Sequence, residues 1–422
     1  TEPDQKVDAP NELLEGDVFP LAGVNKVVLD HLGNQLEVKT WDRNEIKIIP
    51  NHTIIAKSPE DEALLLEKLN FKVEKRAGTL SVSRNACNTR SKSTGFGKKS
   101  IKTIQFDDRK KVRYKEINLT YVIMLPADAN LSVVGDYKKL TIPDMDGNLH
   151  ARLFQTDFVC GSVGGKADLN LKYGDARLSN FGDIKLALFE NDVALKAVKK
   201  MTLSAKYSDL FAEKIAGGDL QLFESKLTAN EFEKGLKANL KYSELNIAQG
   251  ALNDGDVTAF QSRIDIPKMN DLDINMRYSK LNVGELNKLI IPVCFESHIT
   301  LKKINRLDGR SSKYSTYKID EVTSEIALSS FEDKVTILKS ALASMTFDGK
   351  YSKYDITLSK PANYSLDFDN NYGSLDYNGL DLTIQDYEAV HSDKVIKGYF
   401  EEGDNSGAKL IFDCFQSTIR LK

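Results

Sequence analysis

Histidine is scarce in this chain of 422 residues. The five present, His31, His52, His150, His298 and His391, are scattered, with none at metal-ligand spacing and none beside a nucleophile motif. Cysteine is equally sparse. Cys87, Cys160, Cys294 and Cys414 are too far apart in sequence for a CxxC metal or redox motif. They read as small buried hydrophobes, and no disulfide between them follows from the sequence. No apolar run approaches the ~18 residues needed to span a bilayer as a helix. Excess charge is also missing: 58 Lys and Arg oppose 61 Asp and Glu for a net −3, which argues against nucleic acid as a partner. The segment GFGKKS at 95–100 is no phosphate loop, because Lys92 stands where that motif needs its first glycine. No cofactor is implied. The first residue is Thr, so a leader or added residues are expected to have preceded it.

What the chain has in abundance is one short pattern. KYSDL (206–210), FESKL (223–227), KYSEL (241–245), FQSRI (260–264), RYSKL (277–281) and FESHI (295–299) follow one another at 17 to 19 residues. With Ser, Thr, Gly, Asn or Asp as marker, the series runs from Thr156 to Ser352 and returns at Ser417. So short a period signals a solenoid, propeller or array. Two and often four residues past each marker comes an apolar residue, as at Leu227 and Ala229 or Ile264 and Ile266. That alternation is a strand with one buried face. The marker shares its parity and is expected to point inward, making a tight corner and a ladder of hydroxyls. The segment before the marker has the opposite parity, so the chain must bend there.

The fold class expected is all-β: a right-handed single-stranded β-helix (β-solenoid) with coils of about 18 residues. Phe and Tyr units alternate, so a coil or hairpin of about 36 residues is the competing arrangement. A membrane barrel is disfavoured because charges such as Lys226, Glu231, Lys237 and Glu244 leave no outward apolar band. About sixteen coils would fit between residue 136 and the end.

The domain boundaries expected are a tether at 1–16, a β-rich region at 17–135, and β-helix repeats at 136–422, irregular at 361–404. Within the second lies a helix at 59–69, capped by Ser58 with Pro59 first and Glu60 and Asp61 at its positive end. A basic insertion at 84–115 holds eleven Lys or Arg against two Asp, which leaves −12 for the remainder. Its bland reading is a solvated loop. Its functional reading is a contact for anionic glycan or lipid headgroups through Arg90, Lys92, Lys98, Lys99, Arg109, Lys110 and Lys111.

The tyrosines at the corners, among them Tyr242 and Tyr278, allow two readings. Facing inward they are core, the favoured reading. Facing outward they form an aromatic ladder able to stack on sugar rings. Phe223, Phe260 and Phe295 are expected in the core with Leu227, Ile264 and Ile299. The carboxylates Asp175, Asp209 and Glu244 share one column two coils apart, ~10 Å, wider than an inverting glycosidase pair. The chain is therefore read as no enzyme, a carbohydrate-active enzyme on a β-helix scaffold being the alternative.

VNKVVLDHLGNQLEVKTWDRNEIKI (24–48), YVIMLPADANLSVVGDYKKLTI (121–142) and the recurring KYSxLxI together resemble the putative-adhesin family of exported bacterial β-helix proteins, the head-domain type common in Bacteroidetes. The resemblance covers nearly the whole chain. It implies export, to the periplasm or the cell surface in association with the outer membrane. It also implies a right-handed β-helix and a cell-envelope role; the missing catalytic constellation and the unbroken repeat make that role a non-enzymatic one, with a cell-surface or host glycan or an envelope protein as the expected partner. It carries no catalytic residues, and the sequence leaves the oligomeric state open.

Overall fold

The computed structural model describes residues 16–84, 92–94, 101–106, 108–341, 343–401 and 408–422, without side chains at 92–94 and 101. The chain is a β-solenoid of about 13 turns with coils of ~18 residues. That is fewer turns than the sequence suggests, because part of the C-terminal chain is spent on a hairpin. Two compact units divide it, 1–181 and 182–422.

The first unit contains β1 (Asp17–Pro20), β2 (Lys26–Asp30), β3 (Gln35–Thr40), β4 (Glu45–Ala56), the helix α1 (Pro59–Leu69), β5 (Phe71–Arg76) and β6 (Thr79–Arg84). After these come β7 (Lys92–Thr94), β8 (Ile101–Gln105), β9 (Lys111–Leu125), β10 (Leu131–Gly135), β11 (Lys139–Ile142), β12 (Leu149–Phe154) and β13 (Asp157–Cys160). Parallel pairing runs β6–β2–β10–β12 on one face of the coils and β9–β3–β11–β13 on the other. Coiling therefore begins at Lys26, well before residue 136. The sequence hides this because Leu32 and Tyr137, both buried, stand where later coils carry a small polar marker.

Antiparallel neighbours cover the outer strands of this unit: β5 pairs β6, and β4 pairs β9. Exposed parallel edges invite foreign strands, and such cover removes them. The helix forms as its sequence dictates. Ser58 Oγ accepts the Asp61 N–H at 3.2 Å, and Leu65 and Leu69 are its buried residues.

In the second unit each coil consists of two strands joined at the marker. Gly218–Phe223 leads through Glu224 and Ser225 into Lys226–Phe232, and one coil later Leu236–Lys241 leads into Glu244–Gln249. Leu220 pairs with Ala238 and Leu227 with Leu245, an 18-residue register that settles the coil length. Leu227, Ile264 and Ile299 are buried as expected.

The corner has a fixed construction. The residue before the marker has positive φ, between +43° and +58°, in each coil from Glu190 to Tyr372. The marker then turns inward. Ser262 Oγ accepts the Ser243 N–H from the preceding coil at 3.1 Å and donates to the carbonyl of Phe260 at 2.8 Å. Ser208, Ser225, Ser243, Ser279, Ser297, Ser315 and Ser352 repeat this pattern, so the ladder of hydroxyls is present. Left-handed backbone costs a non-glycine residue about 1–2 kcal/mol. Two hydrogen bonds per corner, each worth about 1 kcal/mol net, offset it.

The C-terminal end departs from sequential stacking. Ser344–Lys350 pairs with Lys409–Phe415, which in turn pairs with Tyr364–Asn371. The last strands of the chain are thus inserted between coils that precede them in sequence. Asp393–Phe400 pairs antiparallel with Tyr364–Asn371, and Leu382–Val390 pairs with Asp393–Phe400. Phe347, Phe368 and Phe412 fill the core beneath, with Phe347 and Phe412 stacked at 5.3 Å.

Candidate functional site

The corner tyrosines face outward, which overturns the core reading. Tyr207, Tyr242, Tyr278, Tyr314 and Tyr351 are 42–48% exposed. Phe223, Phe260 and Phe295 are half-buried beside them rather than in the core. Alternation along each strand already points these phenylalanines outward, since the neighbouring Leu222, Ala259 and Cys294 are the buried residues. Tyr242 shares parity with buried Leu240, but the left-handed backbone at Tyr242 resets the parity at the corner.

The rings form one continuous zigzag. From Phe189 through Tyr207, Phe223, Tyr242, Phe260, Tyr278, Phe295, Tyr314, Phe331 and Tyr351 to Phe415 and Tyr372, each ring meets the next edge to face, at 5.4–5.9 Å between centroids. Phe stands two residues before the marker and Tyr one before, so the two types occupy adjacent columns. In the Tyr coils the column of Phe is filled by Lys206, Lys241, Arg277, Lys313 and Lys350, in register with the phenylalanines. In the Phe coils the column of Tyr is filled by Glu224, Gln261, Glu296 and Glu332. Lys241 Nζ lies 5.6 Å from the Phe223 ring centre and 5.5 Å from that of Tyr242.

Positive φ suits glycine, and asparagine tolerates it far better than tyrosine. In the second unit the chain nevertheless places Tyr, Glu or Gln at this corner in the coils from Glu190 to Tyr351. Fold geometry alone does not ask for those side chains. Tyrosines of alternate coils stand ~10 Å apart, twice the inter-strand spacing. The face offers flat apolar rings at intervals, bordered by amines, carboxylates and amides that can bond hydroxyl groups.

Tyr242 and Tyr278 therefore sit on one ladder, with Phe260 between them. Of the basic residues, Arg109, Lys110 and Lys111 are exposed in the first unit at the β8–β9 connection, and Lys92 lies in β7. Arg90, Lys98, Lys99 and Cys87 fall outside the described residues. In the acidic column a cation, Lys226, separates Asp209 from Glu244 in register and lies 3.7 Å from Glu244. His298 is solvated, as expected. Among the described residues no group of three or more His, Cys, Asp or Glu side chains is placed to hold a metal, and no helix is long and apolar enough to cross a membrane.

One buried cluster was not anticipated. Asp333 takes the marker position between Ser315 and Ser352 and is 2% exposed. Burial pushes its carboxyl up to about 6. Nearby, Tyr317 Oη donates to Ser312 Oγ at 2.9 Å, and Cys294 Sγ lies 3.4 Å from Ser315 Oγ. Burial likewise pushes the thiols of Cys160 and Cys414 up to about 12.

The chain is an all-β solenoid with a solvent-facing aromatic ladder. No family model matches it, and no curated protein does. Among solved structures, one described as a putative cell adhesion protein from Clostridium sporogenes aligns over 97% of both chains at 10% identity, with a TM-score of 0.16. A similarity at that score carries no argument about this chain.

Proposed function

We propose that the protein is a non-enzymatic adhesin of the cell envelope whose aromatic ladder binds a glycan. The observation that carries this reading is the corner itself: a backbone position suited to glycine is held in alternate coils by an exposed tyrosine packed between phenylalanines. Sugar rings present apolar C–H faces that stack on aromatic rings, and the bordering Lys, Arg, Glu and Gln supply hydroxyl partners. The repeat spreads one weak contact over many coils, which raises avidity for a polymer. Export, and membership of the adhesin family, belong to the same proposal and rest on the resemblance of residues 24–48 and 121–142. Fractionation of the native cells tests the export.

The binding test uses immobilised neutral and acidic polysaccharides at two salt concentrations. The ladder reading expects binding that is insensitive to salt, lost on combined Tyr242→Ala and Tyr278→Ala, and retained when residues 89–102 are deleted. Salt-sensitive binding abolished by that deletion would move the site to the basic insertion. Cleavage of a bound polymer, abolished by Asp209→Asn or Glu244→Gln, would overturn the non-enzymatic reading.

A further inference from the structure

The first unit holds an open cavity of about 710 Å³. Its charged lining is unbalanced: Arg84, Arg152 and Lys172 contribute three cations, and Asp136 one carboxylate. His31 also lines it, and its Nδ1 is already bonded to Asp30 at 2.6 Å. Among the described residues, no carboxylate forms an ion pair with Arg84, Arg152 or Lys172. The coil register fixes where these cations stand. Arg152 lies between Val134 and Asn170 in the parallel stack, and Lys172 lies beside Phe154. Arg84 ends β6, whose Ser83 pairs with Asp30.

Phe154 makes the cavity more than a cationic patch. It lines the cavity, is 45% exposed, and meets Tyr173 edge to face at 5.2 Å. A ring exposed beside Lys172 and on the same strand as Arg152, with Arg84 three strands away along the stack, offers two kinds of contact at once. Guanidinium forks match the planar geometry of a carboxylate. The ring offers a stacking surface for the body that carries the carboxylate. The volume exceeds what a lone inorganic anion fills and falls in the range of sites for organic ligands.

We propose that this cavity is a binding site for a uronic-acid sugar, its carboxylate held by Arg84 and Arg152 with Lys172 adding charge, and its ring stacked on Phe154. The site is separate from the tyrosines of the second unit and does not depend on their binding anything. It gives the molecule a charge-selective contact that the ladder lacks.

Titration calorimetry of the full chain with tetragalacturonate tests the site, with methyl-esterified tetragalacturonate and inorganic sulfate as comparison probes. The acid form should bind and weaken with added salt. Arg152→Gln should weaken it roughly tenfold or more, as for loss of a charge-assisted hydrogen bond, and Arg152→Lys less, because charge remains without the fork. Phe154→Ala should weaken tetragalacturonate and leave sulfate unchanged. Lys234→Gln, at an exposed cation of the second unit outside both the cavity and the ladder, should leave all three probes unchanged. Arg152 and Phe154 are exposed, so these variants are expected to fold, and circular dichroism checks it. Equal binding of acid and ester, or undiminished binding in an Arg84→Gln, Arg152→Gln double variant, would overturn the proposal. So would a Phe154→Ala variant that binds tetragalacturonate as the parent does, since the cavity would then be a simple ion site.

Discussion

Replacing Asp333 by Ser should stabilise the protein at alkaline pH and do little at acid pH. In every neighbouring coil a serine hydroxyl both accepts the N–H of the preceding corner and donates to a carbonyl two residues back. Asp333 Oδ1 keeps the first bond, accepting the Ser315 N–H at 2.7 Å. Its Oδ2 is buried without a hydrogen-bond partner, and an ionised carboxylate has no proton to donate. Burial therefore favours the neutral acid and raises the carboxyl to about 6. Set against a free aspartate near 3.9, a rise of about two units corresponds to roughly 3 kcal/mol against the ionised form. Because the folded-state value lies above the unfolded one, the penalty is absent below pH ~4, grows between ~4 and ~6, and is complete above ~6. Asp333→Ser should remove it, gaining up to about 3 kcal/mol at pH 8 while matching the parent at pH 4. Solenoids unfold in pieces, so hydrogen exchange of the strands at 316–358, measured from pH 4 to 8 and corrected for intrinsic rates, reads the effect more directly than a global melt. Parallel pH profiles for parent and variant would refute the argument.

Within the same ladder, Ser262→Ala strands the buried Ser243 N–H and leaves the Phe260 carbonyl with the Tyr242 N–H alone, and should cost about 1–3 kcal/mol in chemical denaturation. Cys160, Cys294 and Cys414 are buried with raised pKa, so a thiol reagent at pH 8 followed by peptide mass mapping should label none of them until denaturant is added. Removing residues 409–422 takes away the layer between Ser344–Lys350 and Tyr364–Asn371. Exchange protection across 364–400 should then vanish while the coils at 218–300 keep theirs.

The coil was legible because its signals are local. A small marker every 17 to 19 residues, alternation after it, and the Ser58–Pro59 helix start each follow from neighbouring residues. The ladder was misjudged because a single left-handed residue lies between two well-patterned strands. Alternation carried past Tyr242 from Leu240 assigns the ring to the interior, whereas the turn swings it out. The first coil was missed because Leu32 and Tyr137 satisfy the same inward position with bulk rather than a hydroxyl. The inserted C-terminal layer leaves one trace, two successive tyrosine corners at 351 and 372 before Phe415. Their spatial order restores Tyr, Phe, Tyr. The cavity had no linear signal, since Arg84, Arg152 and Lys172 come from different coils.

That restored order has a consequence for how such a chain can lengthen or shorten. A Phe corner and a Tyr corner interlock only with each other, because their rings leave from adjacent columns and meet edge to face. Duplicating a single coil of about 18 residues would set like against like and break the zigzag, although the backbone ladder would accept it. Duplicating a pair, about 36 residues, would leave every contact intact. The backbone thus counts in ones and the surface in twos, so length variants that keep a working face should differ by whole pairs of coils.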